Sequence, residues 1–90
     1  MFKRDGYKCV ICKSQPPIEL LDAHHITNRS FMPLGGYVEK NGITLCQLCH
    51  YKAEQFHALG KAVKNYAPED LYKKIGSSYQ QALEASKKLK

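Results

Sequence analysis

Four cysteines stand in two Cys-x-x-Cys pairs, Cys9-Val10-Ile11-Cys12 and Cys46-Gln47-Leu48-Cys49. That spacing turns two thiolates toward one tetrahedral ion, so two such pairs favour a single four-thiolate zinc site, with a structural role, over two disulfides. Donors of another kind lie between and after them: His24 and His25 in succession, then His50 and Glu54. Residues four apart on a helix share a face, so His50 and Glu54 can close on one ion. His57 shares that face but sits about 10 Å further along the axis from His50. This distance assigns it to the surface or to a phosphate contact, not to the same ion. Histidine near neutrality can take a proton from water, and a hard cation beside it can polarise a phosphate. The set suits metal-assisted hydrolysis.

These side chains need elements to hold them. Pro16-Pro17 makes a turn, and residues 18–26, ending in Leu21-Asp22-Ala23-His24-His25-Ile26, read as a strand. Neighbouring strand residues point to opposite faces. His24 and His25 can therefore serve one site only if the strand ends or twists there, as the loop at Thr27-Asn28 permits. Asp22, two residues before His24, either orients an imidazole or is solvated. Residues 27–40 form a long loop broken by Pro33 and Gly35-Gly36. Asn41-Gly42 reads as a tight turn with positive φ, followed by a short apolar strand at Ile43, Thr44 and Leu45. A helix over residues 47–58 carries Cys49, Ala53 and Phe56 on one stripe, and Gly60 stops it. Ala67-Pro68-Glu69-Asp70 opens another helix. Leu71, Ile75, Tyr79 and Leu83 recur every four residues, but Gly76-Ser77-Ser78 interrupts them, predicting two helices, 68–75 and 78–88. They should pack on the core through Leu71, Ile75 and Leu83, while Tyr66, Tyr72 and Tyr79 pack between helices and Tyr7 and Val10 pack on the zinc knuckle.

A chain of 90 residues is expected to form one domain, and its core alone gives marginal stability, so a staple such as zinc is expected. No apolar run approaches the roughly 20 residues that span a bilayer. The polar start and paired cysteines predict a reducing, cytoplasmic setting, with neither membrane nor small-molecule substrate as partner. The net charge is +6. Residues 1–13 carry four cations against one acid and residues 61–90 seven against three, whereas residues 14–60 carry three against four. Basic flanks around a ligand-rich centre suit a polyanion lying across a metal site. Lys87, Lys88 and Lys90 read as solvated surface.

His24-His25, Asn41 and Cys49-His50, framed by both Cys-x-x-Cys pairs, resemble an HNH endonuclease of the zinc-stapled kind, over residues 4–57. The resemblance implies a small α+β fold: a ββα-metal core stapled by a four-cysteine zinc knuckle, with residues 58–90 as a helical extension. It implies His25 as general base, His24 and His50 as ligands of a catalytic divalent metal, and Asn41 as the residue that holds the loop and helps orient His25. Asn41 could otherwise be a turn residue alone. Glu54 stands where family members place a further ligand, often histidine. Magnesium, manganese, nickel or zinc would fit such a site. DNA is the expected substrate, nicked or cut with little intrinsic sequence preference. Arg29, Lys52, His57, Lys73 and Lys74 are the candidate phosphate contacts. A protein partner or a second copy could serve double-strand cutting, and a bacterial or phage source is implied. The alternative is a zinc-stapled nucleic-acid-binding module without catalysis; RNA is a third possibility.

Overall fold

A computed structural model describes residues 2–89; Met1 and Lys90, and with Lys90 its reading as solvated surface, lie outside the described residues. Two strands, β1 (Leu21–His25) and β2 (Gly42–Cys46), are followed by three helices, α1 (Gln47–Leu59), α2 (Pro68–Lys74) and α3 (Tyr79–Lys87). The strands pair antiparallel, with Leu21 opposite Cys46 and His25 opposite Gly42. The end of β1 that carries the histidines thus lies beside the start of β2, and the cysteines close the other end.

The first strand is shorter than the sequence suggests. Ile18–Leu20 form a 3-10 turn, fixed by the Leu20 N–H donating to Pro17 O at 2.8 Å. Pairing begins only where β2 supplies partners. Asn41-Gly42 is likewise no positive-φ turn: Asn41 ends a 3-10 turn (Glu39–Asn41), and Gly42 is extended at φ −118°. The two strands are joined by a wide loop, so no tight reversal is needed there. Left-handed non-glycine residues occur instead at Tyr7, Lys13 and Asn65.

Helix α1 begins directly after Cys46 and ends at Gly60, whose φ of 72° lets its N–H return to Phe56 O at 2.8 Å. Pro68 occupies the first turn of α2, with Glu69 and Asp70 beside it at the positive end of the helix dipole. Ser78 caps α3 by accepting the Gln81 N–H at 3.1 Å. Ile26, Met32, Ile43, Leu45, Ala53 and Leu71 are among the side chains that form the core, and Ile75 and Leu83 pack partly buried against it. The four-residue repeat does not continue through Tyr79, which is 46 % exposed. Because α3 starts afresh at Ser78, its own buried face is Ala82 and Ser86. Tyr66 and Tyr72 are buried. Val10 is buried too, but Tyr7 is turned outward rather than onto the knuckle. Among the described residues no helix is long and apolar enough to cross a membrane.

Candidate metal centres

Cys9, Cys12, Cys46 and Cys49 come together with all four sulfurs within 4.8 Å of one another. The first pair is shaped by a tight turn in which Lys13, at φ 65°, donates its N–H to Cys9 O at 3.0 Å. The second pair lies where β2 becomes α1. Burial pushes the Cys49 thiol up to about 12, and hydrogen bonding with Ser14 brings the exposed Cys12 down to about 6. All four cysteines are free of disulfides. A tetrahedral set of sulfur donors fits zinc, which would hold even the buried Cys49 as thiolate. The Tyr66 hydroxyl donates to Cys49 Sγ at 3.3 Å, a contact that nothing in the sequence announces.

The second cluster forms between β1 and α1. His24 points inward from β1 and is 1 % exposed. Its Nδ1 lies 3.1 Å from Glu54 Oε1, and the same oxygen lies 3.1 Å from His50 Nε2. His50 Nδ1 is 3.0 Å from Asp22 Oδ2, so Asp22 serves the helical histidine and not its strand neighbour. Burial pushes the His24 pKa down to about 4; nearby Glu54 pulls it up, and His50 and His57 add to the depression. At neutral pH its imidazole is uncharged, the form that ligates metal. His57 lies nearer this cluster than the sequence reading placed it. Its ring stacks on His24 with centroids 5.3 Å apart, and donor atoms of His24, Glu54 and His57 all lie within 4.8 Å of one another. The axial argument measured His57 from His50. Glu54 stands between them, three residues from one and four from the other, so the cluster centres mid-helix.

His25 projects from the opposite face of β1 and is exposed. It borders a hollow of about 180 Å³ together with Gly36, Tyr37 and Gly42. The ring lies close against Gly36, where an added Cβ would meet His25 Cε1 at 3.5 Å. The strand ends at this residue. His57 Nε2–H donates to the His25 carbonyl at 3.0 Å. Asn41 is 0 % exposed, and every polar atom of its side chain is engaged. Its Oδ1 accepts from the Thr27 N–H at 2.8 Å and from the Tyr72 hydroxyl at 2.7 Å. Its Nδ2 donates to Thr27 O at 3.1 Å and Gly35 O at 3.2 Å. Asn41 thereby ties the chain just after His25 to the long loop. Burial raises the Tyr72 pKa and keeps that hydroxyl a donor.

The candidate phosphate contacts are dispersed. Arg29 is exposed in the loop after β1. Lys52 sits with Nζ 5.7 Å from the Tyr66 ring centroid. Lys73 and Lys74 are exposed on α2, where they line a hollow with Ile11 and Asn65 on the knuckle side. Neither borders the hollow at His25.

A two-stranded sheet and three helices, with four clustered cysteines at the β2–α1 junction, define a small α+β protein of zinc-knuckle type. A family model described as HNH endonuclease matches residues 9–56, and the chain belongs to that family. No curated protein and no solved structure matches it.

Proposed function

We propose that the protein is a metal-dependent endonuclease that hydrolyses DNA phosphodiester bonds, nicking or cutting with little sequence preference of its own. The observation that carries this reading is the convergence of His24 Nδ1 and His50 Nε2 on one Glu54 oxygen, each at 3.1 Å, while His25, next to His24 in the chain, stands exposed at the strand end. Two imidazoles and a carboxylate fit a divalent ion such as magnesium, manganese, nickel or zinc. When bound, such an ion neutralises phosphate charge and favours departure of the 3′ oxygen. The protein's own groups do the rest. His24 and His50 offer ring nitrogens, with Asp22 fixing the orientation of His50. His25 takes the proton of the attacking water. Asn41 holds the loop so that the backbone leaving His25 is fixed. Arg29, Lys52, Lys73 and Lys74 supply positive charge along the DNA backbone, and sequence selectivity falls to DNA shape or a partner. In this reading the four-cysteine zinc is structural, and the protein works in a reducing, cytoplasmic setting.

Purified protein incubated with supercoiled plasmid should nick it in the presence of magnesium, manganese or nickel and leave it intact with chelator. Plasmid binding without strand scission in any of these metals would overturn the enzymatic reading and leave a nucleic-acid-binding module.

A further inference from the structure

His57 is the one histidine of the cluster whose position in the chain gave no reason to place it there. A surface histidine at the end of a helix is ordinarily solvated and makes no fixed contacts. This one stacks on the buried ring of His24 at 5.3 Å, and one of its ring nitrogens is committed to the His25 carbonyl at 3.0 Å. Metal-ligating histidines characteristically donate the second ring N–H to a carboxylate or a backbone carbonyl, which fixes the tautomer and leaves the other nitrogen with its lone pair. His50 shows that arrangement with Asp22 at 3.0 Å. His57 shows it with the His25 carbonyl. One of its ring nitrogens also lies within 4.8 Å of donor atoms of His24 and Glu54, and His50, outside that set, meets it through the Glu54 oxygen at 3.1 Å.

We propose that His57 is a protein ligand of the catalytic metal, added to His24, His50 and Glu54. The inference rests on the nuclease reading for the identity of the site and extends its ligand set. Three imidazoles and one carboxylate make a nitrogen-rich site. Such a site favours nickel, zinc or manganese over magnesium, which takes oxygen donors and retains several waters. The same residue links two parts of the machinery: the imidazole that would face the metal is bonded through its other nitrogen to the backbone of His25.

The test is metal binding, read without cleavage. Protein with its four-cysteine site already filled with zinc is titrated with nickel(II) by calorimetry, alongside His57→Ala and His24→Ala. Nickel should bind the wild-type protein at one additional site, and His57→Ala should weaken that binding by about 10–100-fold, on the scale known for disturbing the shell of a metal site. In parallel, imidazole ¹⁵N spectra of the wild-type protein with added zinc should show one His57 nitrogen moving to a metal-bound position, a readout independent of whether the variant folds. Unchanged nickel affinity in a folded His57→Ala, with affinity lost in His24→Ala, would overturn the role of His57 and leave the nuclease reading standing. So would an unmoved His57 nitrogen while those of His24 and His50 shift. If the wild-type protein takes up no second ion, both the inference and the metal-dependent reading fall.

Discussion

Adjacent residues on a strand are assigned opposite faces by backbone geometry alone, and His24 and His25 obey it. One is buried against α1 and the other is exposed beside Gly36. The division predicts different failures. His25→Ala should keep metal and DNA affinity yet lose roughly 10²–10⁴ of the cleavage rate through lost proton transfer, with partial recovery at high pH, where hydroxide replaces the base. His24→Ala should lose affinity for the activating metal, and excess metal should restore part of the rate. Metal titrations of cleavage for both variants separate the two; the reverse pattern would exchange their roles. At this scale the sequence was informative about which side chains meet: the cysteine pairs cluster, and His24 and His50 both reach Glu54. It did not foresee that His57 would stack on His24, because distance along the helix was measured from His50 alone. It placed Tyr72 in the packing but not its hydroxyl on Asn41, since nothing in a chain advertises a contact thirty-one positions away.

The elements were legible where they carry local signals. The helix starts at Pro68 and Ser78, the stop at Gly60 and the apolar β2 strand all follow from residue types nearby. What was not legible is how the N-terminal segment clips the hairpin. The Arg4 guanidinium donates to Glu39 O and Gly42 O, each at 2.8 Å, and pairs with Asp5. Asp5 in turn accepts the Thr44 N–H at 3.0 Å. Burial pushes the Asp5 carboxyl up, but the hydrogen bonds from Arg4 and Thr44 outweigh it and hold the pKa below the usual aspartate value. A lowered folded-state pKa stabilises the fold above the unfolded value, and this contribution is lost as pH falls through the folded value. Asp5→Asn should therefore be less stable than the wild type by about 1–3 kcal/mol near pH 7. The gap should close below about pH 4, where the wild-type carboxyl also takes up its proton. Urea melts of both proteins across that range would show it; a gap constant with pH would mean that the charge of Asp5 contributes nothing.

Across the whole molecule, α2 and α3 do more than add charge. Leu71, Tyr72 and Ala82 complete the core, so removing them would test folding rather than DNA binding. Substituting exposed lysines is the cleaner probe. Lys73→Gln with Lys74→Gln should preserve the fold and flatten the salt dependence of DNA affinity by up to about 2 in log–log slope, at roughly 0.9 per lost phosphate contact. An unchanged slope would remove these two residues from the DNA path and leave the charge nearer His25 and His57 to carry it. The lopsided charge was readable from the chain; the position of these lysines on the knuckle side was not, because it depends on how two short helices dock. The hydroxyl of Tyr72 on Asn41 makes the order of the loop behind His25 depend on the docking of α2. A domain folds as a unit, and this brace comes from a residue that follows both cysteine pairs and every histidine of the site in the chain. The loop behind His25 gains this support only when α2 docks on the core. In the nuclease reading, the last brace on the segment behind the base thus comes from a helix that holds none of the metal ligands.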